Sequence, residues 1–398
     1  MTKRILLGAW LAMTGCGEGE GEDDSGAESE AESEGEGGDE GEAEAESESE
    51  SESEASFTTA VILLASSDAA SGAISTIDVE TLAAEKLVGP AGGDAVGRAW
   101  FGSYYVVNRM GFDSVQVHDP KKGFALTKEF SVGSTTDNAQ DICCAAADRC
   151  FVPRLHSADI LVVDPTAEDE EIGTIDLSKV ADDGVPNAHT CVIAGTTLLV
   201  ELQNLDDADP YLTALEPGWI AALDASGEDA TPSLYETAVH NPFSRFALEP
   251  DGASAIIAEI GGWGALDGGY ERIGLPGGSP QGIVIGEKAL GGDAGTLAAC
   301  STGEAFAIAT LCDAEFNCST PLLPVDLDSG EVGAAIYDPG SFALTWAAGD
   351  DRGRLWVAER NYDGPSGIRV YGCDGSEITE GPIDVGMPPA FEGVIEFL

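Results

Sequence analysis

Basic residues are scarce in this chain: 18 Lys and Arg stand against 72 Asp and Glu, a net charge of −54. Such a surface repels phosphate, which excludes nucleic acid as a partner and disfavours docking onto anionic lipid headgroups. Four histidines cannot supply a copper cluster of the seven-histidine kind, and any other metal site would need three or four ligands to converge. Long apolar runs are missing as well. The longest near the N-terminus is about nine residues, well short of the roughly 20 that span a bilayer. No two cysteines have the CxxC spacing of zinc or redox sites. No Gly-x-Ser-x-Gly elbow, phosphate loop or dinucleotide fingerprint stands in a strand-to-helix setting, and the glycine-rich stretch "GGWGALDGG" reads as a loop. Abundant instead are glycines, 51 of them, scattered between short β-branched runs, a pattern of strands and turns rather than helices.

The N-terminus reads as an export signal. Met1-Thr2-Lys3-Arg4 is basic, Ile5 to Met13 is apolar, and a small-residue step ends at Gly15-Cys16. This stretch resembles the bacterial lipobox, with Met13 where leucine is usual. The resemblance implies a signal peptide over 1–16 and a lipid on Cys16 that anchors the protein to the membrane. The next residue, Gly17, is not the aspartate that retains lipoproteins at the inner membrane, so the expected location is the outer membrane or cell surface. Residues 17–56 are rich in Glu, Gly and Ser and contain no base. They cannot bury apolar surface, and like charges extend them, so they are expected to form a disordered acidic tether reaching at least about 35 Å.

From Phe57 to Leu398 a unit of short strands recurs roughly every 40–60 residues. The clearest copy runs "RAWFG", "SYYVVNRMGFDSVQVHDP", "ALTKEFSVG". The third strand ends in an acid at Asp78, Asp119, Asp164, Asp224 and Asp326, with Asp374 close to the matching place, while the copy near Tyr270–Leu275 is degenerate. Seven such units predict an all-β, seven-bladed β-propeller. The first unit lacks an innermost strand, and the last segment, "PPAFEGVIEFL", is an innermost strand without a blade. Glu392–Leu398 is therefore expected beside Ala60–Ala65, closing the ring. The "YVVN" and "DSVQVHD" segments resemble the YVTN-type propeller repeat of bacterial and archaeal surface-layer proteins. That resemblance implies a surface or periplasmic binding scaffold and transfers no catalytic set.

Without Cys16, eight cysteines remain in an exported chain, which favours disulfides. Cys144–Cys150 and Cys312–Cys318 would each flank a turn. Cys143 would then join Cys191 on the adjacent inner strand, and Cys300 would join Cys373 between neighbouring blades. About a hundred pairings are formally open, and the sequence alone does not choose among them.

Propeller geometry also places candidate site residues. Arg98, Asp141, His189, Arg245 and Glu392 are expected at the central channel. Propeller lactonases hold calcium there with carboxylates and an asparagine; the matching groups would be Asp141 and Glu392 with Asn138 or Asn187, unless Arg98 and Arg245 pair with the acids instead. The tryptophans fall at unrelated strand positions, unlike the repeated tryptophan motif of quinoprotein dehydrogenases. Loops after the second strands should gather Asn108, Arg109, Arg154, His156, Gln203, Asn204, Trp263, Glu359, Arg360, Asn361 and Tyr362 on one binding face. The resulting expectation is a binding platform for an unknown protein or glycan, with no cofactor other than possible calcium. A calcium-dependent, lactonase-like hydrolase and a structural envelope component are the competing readings.

Overall fold

Short apolar runs bounded by glycine and aspartate turns become antiparallel sheets, five of them with four strands in regular order, and seven such blades form a ring. The computed structural model describes residues 56–398 except 135, 210–211, 228–230, 302, 314–316 and 362–363. Cys16, the leader, the tether to residue 55 and Tyr362 lie outside the described residues.

Blade 1 sets the topology. Its outer three strands, Thr59–Ala65, Gly72–Asp78 and Ala84–Ala91, come from the start of the domain, and its innermost strand, Ile395–Phe397, comes from the end. The register is antiparallel, with Ala60 opposite Phe397 and Ile62 opposite Ile395. Thr59 and Leu398 exchange two backbone hydrogen bonds of 3.0 and 2.8 Å, and Leu63 N–H donates to Val394 O at 2.8 Å. The ladder is shorter than the expected Glu392–Leu398, because Pro388 and Pro389 carry the chain in by separate contacts with Ala65 and Leu64. Phe397 stacks on Phe57 at 5.4 Å and meets Trp356 of blade 7 edge-on at 5.7 Å, so the junction also buries aromatic surface.

The second strands of blades 2 to 7 are Ser103–Asn108, Arg149–Val152, Thr197–Leu202, Ser254–Glu259, Glu304–Cys312 and Arg354–Glu359. Each lies between two neighbouring blades and is apolar on both faces. In blade 4, Leu198, Val200 and Leu202 pack towards blade 3, while Leu199 packs towards Ala255 and Ile257 of blade 5. This two-sided burial explains why the repeat reads as continuous apolar runs rather than strict alternation.

The recurrent third-strand acid is a turn device. The side chains of Asp78, Asp119, Asp164, Asp224, Asp326 and Asp374 each accept a backbone N–H two residues on. Such bonds favour the ionised form, and all six carboxyls are held below their ordinary range. Blade 5 puts Gly274 at this place, opposite Ser254, and turns instead through "GLPGG". That substitution accounts for the degenerate copy. Blades 6 and 7 depart from the expected four regular strands: isolated bridges at Val332, Tyr337, Glu377 and Ile383 replace the outermost strand.

Four disulfides are formed: Cys143–Cys191, Cys144–Cys150, Cys300–Cys373 and Cys312–Cys318. The first ties the inner strands of blades 3 and 4, and the third ties blades 6 and 7. Among the described residues, no helix is long and apolar enough to cross a membrane.

Removing the closing strand would leave Thr59–Ala65, whose residues from Ala60 on are fully buried, as an open apolar edge. Deletion of residues 389–398 is expected to abolish the single cooperative unfolding transition and to cause association. A melting curve and light scattering read this directly; an unchanged melt would refute closure.

Candidate functional site at the channel mouth

The second-strand loops and the entrances of the inner strands share one face, joined by a repeated hydrogen bond. Arg109, Leu155, Gln203, Ile260 and Arg360 donate their N–H groups to the carbonyls of Asp94, Asn138, Asn187, Asn241 and Ala343. Three of those acceptors are asparagines in the left-handed region, with φ of 55°, 54° and 61°, a conformation asparagine adopts more readily than most residues. Their amides hold neighbouring loops: Asn138 accepts from Met110 N–H at 3.2 Å, Asn187 from Leu205 N–H at 2.7 Å, and Asn241 from Gln203 Nε2 at 3.1 Å.

Below this rim the channel is filled by charged side chains from several blades. Arg98 forms a two-pronged pair with Asp141, at 2.7 Å through Nε, and reaches Cys191 O at 3.2 Å. Arg245 of blade 5 crosses to Glu396 on the closing strand and to Gly97 O of blade 2, with its guanidinium 5.2 Å from the Trp346 ring of blade 7. Glycine is needed along this path. A Cβ on Gly393, at φ 56°, would meet Arg245 Nη2 at 2.5 Å, and one on Gly97 would collide with Tyr104 Oη.

One tier higher, Arg109 binds Glu392 at 2.6 Å, Asp94 at 2.7 Å and Gln140 at 3.2 Å. His189 lies between Glu392, 3.5 Å from Nε2, and Glu201, 3.4 Å from Nδ1. Its ring stacks on Phe243 at 5.2 Å, and Phe243 meets Trp263 edge-on at 5.5 Å. Burial alone would raise the Asp141 carboxyl, but Arg98 outweighs it and holds the group below its usual range. Glu392 follows the same pattern, with burial outweighed by Arg109 and His189.

These contacts decide the calcium reading of the channel. Asp141 and Glu392 are committed to arginines, and Asn138 and Asn187 to loop backbone, so the four do not fit a calcium site. Asp141, Cys143 and Cys191 come close enough to share an ion, within 4.8 Å, but the two sulfurs are joined in a disulfide and offer no thiolate.

Of the described residues expected on the binding face, most are buried staples. Asn108 ties Gly92 N–H to Ser114, Arg154 binds Asp137 and Asp159, and His156 lies 3.4 Å from Asp207. Gln203 donates to Asn241, Asn204 to Pro217 O, and Glu359 accepts from Tyr337 and Arg369. Arg360 donates to Ala65 O, Ser66 O and Pro389 O, stapling blade 7 to the closure. Asn361 bonds Ser366 through its backbone. Trp263 is the exception, with 47% of its surface exposed.

A second cluster escaped the sequence reading. Glu201, Glu259 and Glu271 face the seam between blades 4 and 5 and are essentially inaccessible. Val239 N–H donates to Glu259 at 2.6 Å, and Ala238 and Gly282 N–H groups donate to Glu271 at 2.9 and 3.0 Å. Glu201 Oε1 and Glu259 Oε1 have no hydrogen-bond partner among the described residues. Burial raises Glu201, with His189 opposing it. Burial and the adjoining Glu271 carboxylate push Glu259 up to about 11. The signal was present as an acid closing an apolar run, in "TLLVEL" and "SAIIAE".

The sign of this shift gives a prediction. An unfolded Glu259 releases its proton near the ordinary 4.5, while the folded protein keeps it to about 11, so the folded state loses stability as pH rises through that window. Glu259→Gln cannot titrate and keeps a hydrogen-bond donor. It is expected to raise the unfolding midpoint, with a gain that grows from pH 5 to 9 (roughly the accessible part of that window). A gain independent of pH would contradict the assignment.

No described protein family and no curated protein matches this chain. Among solved structures it is similar to a Bacteroides fragilis protein provisionally assigned as a 6-phosphogluconolactonase, with TM-score 0.60 and 12% identity over 86% of this chain and 98% of that one. A Lactobacillus plantarum protein matches with TM-score 0.54 and 11% identity over 86% and 99% of the two chains. Streptogramin B lyase matches with TM-score 0.50 and 11% identity over 77% and 92%. At such identities the likeness is one of fold. The chain is a seven-bladed β-propeller, a class that hosts unrelated chemistries.

Proposed function

We propose that this protein is a lipid-anchored cell-surface propeller that works as a binding platform. The observation that carries this reading is the state of the channel. Its arginines and acids pair with one another across blades 1, 2, 3 and 5, which commits Arg98, Arg109, Arg245, Asp141, Glu392 and Glu396 to contacts within the fold. Several exposed apolar groups, by contrast, share the loops of one face: Met110, Phe112, Leu215 and Trp263 on second-strand loops, and Phe342 at the entrance to blade 7, while others, such as Phe101 and Leu248, are exposed elsewhere. Aromatic and methionine side chains displayed in this way are characteristic of interface anchors. The lipobox-like step at Cys16 and the acidic tether would hold this face away from the membrane, and the YVTN-like repeat fits a scaffold at the cell surface.

Two measurements test the reading. Metabolic labelling with palmitate is expected to mark the wild-type protein and to vanish in Cys16→Ser; persistent labelling would remove the anchor. Photo-crosslinkers placed at Phe112 and Phe342 are expected to capture a partner in intact cells, whereas one at Phe101, exposed on a turn at the opposite end of the blade, is not. Stoichiometric calcium bound with micromolar affinity, lost on Asp141→Asn, would instead favour the hydrolase.

A further inference from the structure

We propose that the patch around Trp263, above the seam between blades 4 and 5, docks a basic segment of a partner polypeptide, with an Arg or Lys side chain lying on the indole. The inference rests on the binding-platform reading and names the partner's chemistry.

The loop carrying Trp263 is fixed with unusual expense. Gly262 N–H is held by Asp267 at 2.9 Å, Gly264 N–H by both oxygens of Asp293 at 2.9 and 3.1 Å, and Gly268 N–H by Glu287 at 2.9 Å. Glu287 is wholly buried and Asp293 nearly so. Burying carboxylates is unfavourable, and here their role is to hold a loop whose indole faces water. A large aromatic group on a rigid loop loses little entropy when it is covered, as a recognition residue requires. From behind, Phe243 supports the indole edge-on.

The patch extends along the chain of contacts to blade 4. Gly261 N–H donates to His240 O at 3.1 Å, and His240 Nδ1 lies 3.7 Å from Glu216, whose side chain is 84% exposed. Leu215, next in sequence, is also exposed. The patch thus combines an indole, a leucine and a carboxylate.

Its charge selects the partner. Among the described residues, the loops that follow the second strands present no exposed base. Arg109, Arg154 and Arg360 are all buried and bound within the fold. An acidic partner meets repulsion here with nothing to offset it. A cation gains the indole face and Glu216 together.

The test uses full-length protein and a fluorescent decapeptide of alternating Arg and Leu, with a Glu–Leu decapeptide as control, read by anisotropy. Binding of the Arg–Leu peptide is expected to weaken at least about tenfold in Trp263→Ala and about threefold in Glu216→Gln. Leu248→Ala, which changes an exposed leucine far from this face, should leave it unchanged. Wild-type affinity in Trp263→Ala, or equal binding of the Glu–Leu peptide, would overturn the proposal. Should Trp263→Ala melt early, Glu216→Lys decides, since its side chain packs little: unchanged affinity there overturns the proposal too. A crosslinker at Leu215 separates this claim from its parent. A captured partner whose contact segment lacks Arg and Lys would leave the platform standing and sink the basic-segment claim.

Discussion

The pairing of Ile395–Phe397 with Thr59–Ala65 holds more than the ring. The same ten-residue segment brings Glu392 and Glu396 into the channel, where Arg109, His189 and Arg245 meet them. Closure and channel chemistry are therefore one event. Without the C-terminal segment, Arg245 would lose its carboxylate partner Glu396, and Arg109 would lose Glu392. Arg360 adds a further hold by donating to carbonyls on both partners of the seam, Ala65 and Pro389. A propeller otherwise built from local hairpins thus depends on one contact between residues more than 300 positions apart, a slow contact to form in folding.

This arrangement bears on the two broad readings of the fold. A catalytic channel needs groups held in position yet unspent, as the electrostatics of transition-state stabilisation require. Here Arg98, Arg109 and Arg245 pair with Asp141, Glu392 and Glu396, which offsets part of the cost of burying them, while Nε of Arg109 and Arg245 and Oε1 of Glu201 have no hydrogen-bond partner among the described residues. The seam between blades 4 and 5 is the opposite case. Its apolar cluster, built around Leu199, Ile220 and Ile257, ends at three glutamates with a single imidazole beside them. A folded state that keeps a proton on Glu259 gives up stability across most of the pH range. Such departures from an all-apolar seam cluster at functional places. The exposed Trp263 lies directly above this seam, on the Phe243–His189 stack.

Much of the fold could be read from the sequence because its determinants are local. Apolar runs of strand length, turn aspartates such as Asp119 and Asp224, and the orphan strand at the C-terminus specify blades, their order and their closure. The four disulfides match the pairs that strand placement suggested, among them Cys143 and Cys191 on neighbouring inner strands, although the sequence alone left other pairings open. What could not be read was the direction and burial of loop side chains. Arg154 and Arg360 have the composition of a recognition surface, yet each is turned inward to staple a loop. Whether an arginine is a ligand-binding or a structural group depends on acids and carbonyls supplied by other blades, and no local pattern encodes that. The same holds for Glu201 and Glu271, which come together across a seam from positions 70 residues apart.

Hydrogen exchange in the native state tests the central claim most directly. The amides of Thr59, Leu63, Ala65, Ala390 and Leu398 all donate across the closure. If closure is the contact on which the ring depends, these five exchange only with global unfolding, as slowly as the core amides of blade 4. Rapid exchange at these positions, with the blade cores still protected, would mean that the ring stands without its C-terminal strand, contradicting the account.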